Sequence, residues 1–497
     1  MPSIEAQGCR VRVAPSPTGA LHIGTARTAL YNWLFARQHD GKLILRIEDT
    51  DQSRSRQEYE KSILEGLEWL GIQWDEGPFL KKDGTISTRG DFGPYHQSKR
   101  GEVYQKYLAK LLEEKKAYVC YCTTEELEAE RQALLSQGLP PKYQGHCRTL
   151  TTAPQGKQPQ VIRFKVPEKE LVIKDLIRGT VKFHTKNLGD FVIAKYPSSV
   201  LYNFAVVVDD WEMRVTHVIR GEDHLSNTPK QILLQEALGF TRPAYAHLPL
   251  ILAPDRSKLS KRRAAVSVLE YQKNGYLPTA MLNFLALLGW HPKEEKEFFT
   301  PQELIAQFDL KRVQKSGAIF NEEKLQWLNA QHIKRMPTSE LADYLLQFFK
   351  PLAEKFLAKG RDFLLKVLDV EKPRLKNLRD FPGLVDFFFV LPEYNADLLL
   401  WQQQSPQDAK EVLSKLCTSL EILQKATTPP TRENLLAAFN PLIAEKGRGN
   451  VLWPLRVALS GKAASPDPIE IIEVLGYEES LKRIRAALAK LSTTLPL

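Results

Sequence analysis

At 497 residues, with 43% hydrophobic and 26% charged side chains, the chain is too long for a single hydrophobic core and too apolar to be mainly disordered. Its net charge of +10 suits a polyanionic partner, since lysine and arginine displace counterions from a phosphate backbone, although solvated surface lysines give the same excess. No run reaches the roughly 18–20 apolar residues of a membrane span, Met1 to Arg10 lack the apolar core of a secretory signal, and five cysteines do not make a disulfide framework; a cytoplasmic setting is expected.

In chain order, Cys9 to Ala14 reads as a short strand that Pro15-Ser16-Pro17-Thr18-Gly19 breaks. Ile23, Ala26, Leu30, Trp33 and Leu34 then recur at helical spacing before Gly41, and Leu43 to Glu48 is the next strand, giving a βαβ unit. Ser55 with Glu58 forms a capping-box pattern ahead of Tyr59, Ile63, Leu67 and Leu70, a helix stopped at Gly71. From about Ala117 to Ala205 the character changes: a charged helical stretch from Thr123 to Gln137 precedes short strand-like runs at Val161 to Val166 and Gly189 to Ala194, the pattern of an insertion. Strand-like segments resume at Val206 to Asp209 and Thr216 to Arg220, and Pro229 to Leu238 reads as a helix. The parallel sheet is therefore expected to be completed beyond the insertion, with ligands past the C-terminal ends of its strands. After about Asn321 the pattern is helical to the end, as at Leu341, Tyr344, Leu345, Phe348 and at Leu481, Ile484, Leu488, Leu491. Met336-Pro337 and Ser465-Pro466-Asp467-Pro468 separate groups of helices.

Two short motifs carry chemistry. Pro15 to Gly24 lies between strand and helix, where prolines stiffen the turn, glycines admit a ligand to the backbone and the helix N-terminus offers unpaired N–H groups to an anion. Lys258-Leu259-Ser260-Lys261-Arg262 follows the last strand of the same split sheet. Alone, the first is an ordinary packed turn and the second a solvated basic loop. Neither the P-loop pattern nor the dinucleotide-binding pattern occurs in the chain.

Together, His22-Ile23-Gly24 and Lys258 to Arg262 resemble the paired signatures of class I aminoacyl-tRNA synthetases. Arg12 to Gly19, Arg46-Ile47-Glu48-Asp49-Thr50-Asp51, Trp74-Asp75-Glu76-Gly77-Pro78, Gly93-Pro94-Tyr95 with Gln97-Ser98, Tyr202-Asn203-Phe204-Ala205 and His217 to Leu225 look like the blocks of the glutamyl and glutaminyl branch, covering most of residues 10 to 290. Glutaminyl enzymes usually end in β-barrels, and truncated relatives that modify a transfer-RNA base stop before this chain's helical end, so the resemblance favours bacterial-type glutamyl enzymes.

That resemblance implies an α/β fold: a class I synthetase Rossmann-like parallel sheet, split by an α+β acceptor-binding insert and followed by an all-α anticodon-binding region. The implied boundaries are 1–116 for the first half of the catalytic domain, 117–205 for the acceptor-stem-binding insert and 206–255 for the second half. Residues 256–335 are the implied stem-contact region with the lysine loop, and 336–497 the helical anticodon-binding region. It further implies a monomer that takes L-glutamate, ATP with Mg2+ and tRNA(Glu), with tRNA(Gln) as a further substrate left open. His22, Lys258 and Lys261 are the implied catalytic residues. ATP is assigned to Thr18, Gly19, His22, Gly24, Asp223, Lys258, Ser260 and Lys261. A dicarboxylic amino acid needs two arginines and one acid, and glutamate is assigned to Arg12, Ala14, Ser16, Glu48, Tyr202 and Arg220. The substrate carboxylate is itself the nucleophile, so catalysis is positioning and electrostatics, with one charge-stabilising donor worth on the order of 3 kcal/mol. Neither Ser16 nor Ser260 is expected to act covalently. Arg46 and Glu48 read alternatively as a routine strand-edge ion pair.

Cys120, Cys122, Tyr143 and Cys147 resemble a zinc module of this branch, but Thr149 stands where several relatives carry a histidine ligand. Tyr143 or His146 is left as the fourth donor, and reduced buried thiols as the alternative to zinc. A small-molecule nucleotidyl transferase of the same superfamily, a glutaminyl enzyme and a noncatalytic RNA-binding relative compete with this reading. The first would need neither the insertion nor the helical end, and intact His22, Lys258 and Lys261 argue against the last.

Overall fold

The first strand, β1 (Arg10–Val13), is buried at all four positions, as expected where a parallel sheet is covered on both faces. The computed structural model describes residues 8–51, 53–257, 259 and 267–493. Helix α1 (Ile23–Gln38) crosses over to β2 (Lys42–Leu45), which pairs parallel with β1 from Arg10↔Lys42 to Val13↔Leu45. Every residue of α1 from Ala29 through Ala36 is buried, so it is a core helix, with about 1.5–3 kcal/mol from each large apolar side chain removed from water. Gly41 makes the return into β2 fit: a Cβ there would stand 2.4 Å from the Cys9 carbonyl oxygen.

Helix α2 (Gln57–Trp69) begins one residue later than the Ser55–Glu58 pattern predicts. Its N-cap is Arg56 without a side-chain cap, because the Ser55 hydroxyl donates to the Asp51 carbonyl instead. Gly71, at φ +74°, stops the chain as expected. A hairpin, β3 (Gly77–Leu80) and β4 (Ile86–Arg89), then α3 (Gly101–Glu113), lead into the inserted part. There β5 (Ala117–Cys120) is followed by α4 (Thr124–Ser136), whose Thr123–Glu126 capping box is formed on both sides. β6 (Val161–Phe164) comes next, then the hairpin β7 (Glu170–Asp175) and β8 (Gly179–His184), β9 (Val192–Lys195) and β10 (Ser199–Val200). One antiparallel sheet runs β10-β9-β6-β5. The β7–β8 hairpin is different: β7 joins the catalytic sheet, parallel to its neighbour at Tyr245↔Asp175.

The segment Val206–Asp209, expected as a strand, is the middle of helix α5 (Tyr202–Glu212), in which every residue from Phe204 to Asp210 is buried. A helix covered on all sides loses its amphipathic period, and a short apolar run then cannot be told from a buried strand. The 205/206 boundary accordingly falls within this helix. β11 (His217–Gly221), α6 (Thr228–Leu238) and β12 (Ala244–Leu248) complete the parallel sheet in the order β11-β12-β7-β8. β11 meets β1 through Thr216, whose N–H donates to the Arg10 carbonyl at 2.9 Å. The unit closes with β13 (Ile251–Leu252), α7 (Val268–Lys273), α8 (Pro278–Leu287), α9 (Pro301–Gln307), β14 (Ala318–Ile319), which pairs parallel with β13, and α10 (Glu322–Arg335).

Contacts divide the chain into two units, one ending at Leu328 and one beginning at Asn329. The second contains α11 (Thr338–Phe348), α12 (Lys350–Lys359), α13 (Arg361–Glu371), α14 (Phe381–Val385), α15 (Pro406–Lys425), α16 (Arg432–Lys446), α17 (Arg448–Ser460) and α18 (Pro468–Thr493). The last is kinked at Gly476, where φ is +77°. No strand occurs among its described residues. Phe356 packs against Phe381 and Phe389 at ring distances of 5.7 and 4.7 Å, and anchors the first helices of this unit. No helix among the described residues is long and apolar enough to cross a membrane.

Glu371, whose side chain is fully buried, receives Arg374 at 2.8 Å, yet burial outweighs that partner and pushes its carboxyl from 4.5 up to about 7. A carboxyl that holds its proton more tightly when folded stabilises the fold fully below about pH 4.5 and loses that contribution as pH rises through about 7. Glu371→Gln, which keeps an acceptor for Arg374 without the charge, should therefore stabilise the protein by about 2 kcal/mol at pH 8 and hardly at all near pH 5. Thermal unfolding at the two pH values measures this; an equal gain at both would assign the effect to packing.

Candidate active site

A cavity of about 620 Å³ opens where the C-terminal ends of β1, β2 and β11 meet the N-terminus of α1. Arg12, Ala14, Ser16, His22, Gly24 and Glu48 line one side of it, and Tyr202, Arg220 and Asp223 the other. Residues 190 positions apart in sequence therefore line one cavity, as an open parallel sheet arranges them. Thr18, exposed, and Gly19 sit in the preceding turn and do not line the cavity. Lys258, Ser260 and Lys261 lie outside the described residues. Their described neighbours, Leu259 and Ser267, bear on the same place: Leu259 lines the cavity, and Ser267 forms a β-bridge with His22.

His22 caps α1. Its Nδ1 accepts the Gly24 N–H at 3.0 Å, leaving Nε2 to carry the proton of the neutral ring. A Cβ on Gly24 would stand 3.4 Å from that Nδ1, so glycine keeps the cap uncrowded. The remaining N–H groups of the first turn stay available to an anion.

The floor of the cavity is a buried charge cluster. Asp210 of α5 receives Arg12 Nε at 3.1 Å and Nη2 at 3.4 Å, and Arg46 Nη1 at 2.7 Å. Arg46, wholly buried, also reaches Glu48 at 3.3 Å. Its neighbour Asp209 is held by Arg100 at 2.6 Å, Gln97 at 2.8 Å and Tyr104 at 2.9 Å. Burial raises the pKa of Glu48 against the pull of Arg46 and Arg12. At Asp210 burial acts in the same sense, but Arg12 and Arg46 together outweigh it and hold the carboxyl below its ordinary range. The strand-edge reading of Arg46 and Glu48 is thus corrected: they do pair, but in the interior, inside a larger cluster.

Arg220 is arranged otherwise. Its Nε donates to His247 Nε2 at 3.3 Å and its Nη2 to Thr228 Oγ1 at 2.8 Å, while Nη1 has no partner among the described residues. Tyr202 meets His224 Nδ1 at 3.0 Å. Burial, reinforced by Arg220, lowers His224 to about 4, so this imidazole is neutral at physiological pH. Arg27, also in the lining, spends its two Nη groups on the carbonyls of Leu288, at 3.1 Å, and Pro249. Asp210, Arg27, His247 and Asn227 were not singled out from sequence. A usable signal for the first was an adjacent acid pair, Asp209-Asp210, ending an apolar run, since buried acids require buried cations.

In the inserted part, the sulfurs of Cys120, Cys122 and Cys147 all lie within 4.8 Å of one another. Cys122 and Cys147 are 3.6 Å apart, and the Tyr143 hydroxyl lies 3.5 Å from Cys120 and 3.6 Å from Cys122. A tetrahedral zinc with bonds near 2.3 Å to sulfur and 2.0 Å to oxygen would put such edges at roughly 3.5–3.8 Å, which these three separations match. His146 does not converge on these donors: its Nε2 is 2.9 Å from Glu130 and its side chain is 61% exposed. Arg163 stacks on the Tyr143 ring at 3.8 Å and places positive charge beside the three thiols.

Residues 8–327 match the family described as class I tRNA synthetases (E and Q), catalytic domain, and residues 340–488 match an anticodon binding domain. The chain belongs to this class I tRNA synthetase family. It is 41% identical to the glutamate–tRNA ligase of Natranaerobius thermophilus over 97% of this chain and 99% of that protein. With the glutamate–tRNA ligase of Carboxydothermus hydrogenoformans it shares 45% identity over 96% and 98%. The crystal structure of a glutamate tRNA ligase from Elizabethkingia meningosepticum in complex with its amino acid superimposes with a TM-score of 0.85 at 34% identity, covering 98% of this chain and all of that one.

Arg46→Met should leave Glu48 without its arginine and Asp210 with Arg12 alone, and destabilise the protein by about 3–5 kcal/mol, while adding Asp210→Asn should recover part of that loss. Denaturant unfolding of the single and double variants reads the coupling; strictly additive losses would mean that the two groups do not act as a pair.

Proposed function

We propose that this chain is a glutamate–tRNA ligase that joins L-glutamate, activated by MgATP, to the 3′-terminal adenosine of tRNA(Glu). Membership of the family and near full-length likeness to glutamate–tRNA ligases support the reading. The observation that carries it at the site is one cavity lined by His22, Glu48 and buried Arg220, whose Nη1 has no hydrogen-bond partner among the described residues. A ligand with two carboxylates and an ammonium finds complementary groups there.

In this reading Arg220 and Arg12 take the carboxylates, Glu48 the α-ammonium, and Tyr202 adds a hydrogen bond, with Ala14 and Ser16 shaping the wall. The α-carboxylate oxygen attacks the α-phosphorus of ATP, and the bond to the bridging oxygen of pyrophosphate breaks. His22, Gly24 and the first turn of α1 meet the phosphates, and Lys258 and Lys261, with Ser260, neutralise the charge that grows on the departing pyrophosphate. Thr18, Gly19 and Asp223 are assigned to the nucleotide. The terminal adenosine 2′-hydroxyl then attacks the glutamyl carbonyl, its proton is lost and AMP departs. Residues 117–205 are assigned to the acceptor stem, 256–335 to the stem beyond it and 336–497 to the anticodon. Whether tRNA(Gln) is also charged is decided by that last region, and charging both purified RNAs measures it.

Purified protein should charge tRNA(Glu) with glutamate. Lys261→Ala should slow adenylate formation by about a hundredfold while RNA affinity stays near that of the parent. Equal loss of both would make the lysine structural, and no charging by the parent protein would overturn the assignment.

Zinc is proposed in the insertion, held by Cys120, Cys122, Cys147 and Tyr143, where it would fasten the end of β5 to the segment around Tyr143. Metal analysis should find one zinc per chain. Tyr143→Phe should weaken its retention against a chelator by on the order of tenfold or more, and His146→Ala should not change it. The opposite pattern would exchange the two residues' roles.

A further inference from the structure

The groups holding Arg220 form a chain that ends on a different part of the fold. Arg220 Nε donates to His247 Nε2 at 3.3 Å, and His247 Nδ1 stands 2.6 Å from Asp175 Oδ2, with both of the latter side chains fully buried. Asp175 is the last residue of β7, the strand that the inserted segment contributes to the catalytic sheet. Resting on the reading of Arg220 as a glutamate-binding group, we infer that His247 and Asp175 are positioning residues for it, and that Asp175 acts by fixing the imidazole tautomer.

The hydrogen-bond inventory leaves Asp175 no other arrangement. Its Oδ1 accepts three backbone N–H groups, from Arg178 at 2.8 Å, Ile177 at 3.0 Å and His247 at 3.3 Å. The carboxylate cannot turn, and Oδ2 is committed to the ring. Opposed by burial but outweighed by His247 and these N–H donors, the pKa of Asp175 is lowered, so the acid is ionised and accepts. His247 Nδ1 must therefore carry a proton. Burial lowers the pKa of His247, so the ring is neutral and its Nε2 is a bare lone pair. A lone pair is what the Arg220 Nε–H requires, because an arginine can only donate. Thr228 Oγ1, 3.0 Å from the same Nε2, shares that acceptor and itself receives Arg220 Nη2.

This arrangement orients a guanidinium without neutralising it. Arg12 faces the carboxylate of Asp210, whereas Arg220 is held by a neutral ring, a hydroxyl and the His224 carbonyl, so its charge remains for a carboxylate in the cavity. Orientation alone would also be met by an aspartate in place of His247, but that residue would cancel the charge on which recognition depends.

The test is a tautomer reversal. In Asp175→Asn the oxygen must stay with the three backbone donors, so the amide NH2 falls opposite His247 Nδ1 and drives the ring proton to Nε2, where it meets the Arg220 N–H. In glutamate charging by the full chain, KM for glutamate should rise on the order of tenfold or more, with KM for ATP within about twofold of the parent. His247→Gln, which can present its carbonyl to Arg220, should stay within about threefold, and Asp175→Asn should add nothing in that background because no tautomer remains to reverse. An equal rise of both KM values, or the same Asp175→Asn effect with and without His247→Gln, would overturn the inference while leaving the assigned activity intact; failure of the parent to charge glutamate would instead strike the activity. Nitrogen-15 NMR of the parent provides a check that needs no variant: a buried imidazole protonated at Nδ1 is expected for His247, and protonation at Nε2 overturns the proposal.

Discussion

The catalytic unit depends on placing three arginines and three carboxylates against one another in the interior. Arg12 and Arg46 from the first two strands, Arg100 from the turn before α3, Asp209 and Asp210 from α5, and Glu48 beyond β2 form one connected set. Each ion alone would lose several kcal/mol of hydration on burial, and only mutual pairing with good geometry offsets this. The cluster therefore does more to fix arrangement than to add stability. β1, β2 and α5 can approach in one register, because any shift would leave a buried charge unpaired. The wall of the cavity follows from that constraint, since Arg12 and Glu48 belong to the cluster and to the lining at once.

Within this frame the two sides of the cavity are electrically unlike. On the β1 and β2 side, the charge of Arg12 is largely met by Asp210, and burial makes Glu48 reluctant to ionise even with Arg46 beside it. On the β11 side, Arg220 is steadied by neutral acceptors. A zwitterionic dicarboxylate entering the cavity would complete both sides: its ammonium favours the ionised form of Glu48, and a carboxylate pairs with Arg220. This is electrostatic preorganisation, with the dipoles and charges set before the ligand arrives.

The sequence was legible wherever a local pattern had one physical cause. The βαβ opening, the stop at Gly71, the helix from Thr123 and the strand at Thr216 to Arg220 follow from apolar period and turn chemistry, and the structure places them so. It was illegible where a tertiary partner decides. Val206–Asp209 is apolar on all sides and gave no period by which to choose helix over strand. The Ser55 hydroxyl donates to the Asp51 carbonyl, and the helix begins after Arg56 without a side-chain cap. Tyr143 and His146 were both left open as the fourth donor, and His146 instead pairs with Glu130 at 2.9 Å. His247 and Asp175 carry no motif, since a relay built across three strands exists only after the sheet is assembled.

How an inserted segment can share in a site from which it is remote in sequence is answered by the sheet. An antiparallel insertion packed on the surface could touch the cavity only through loops. Instead the hairpin β7–β8 enters the parallel sheet beside β12, and the single register pair Tyr245↔Asp175 places the acid next to the strand that carries His247. Parallel neighbours bring residues of like height together at the same end of the sheet, which is the end where ligands bind. Splicing a strand into that end gives the insertion a rigid, hydrogen-bonded route to Arg220, one that a change in the seating of the hairpin would alter at the amino-acid pocket.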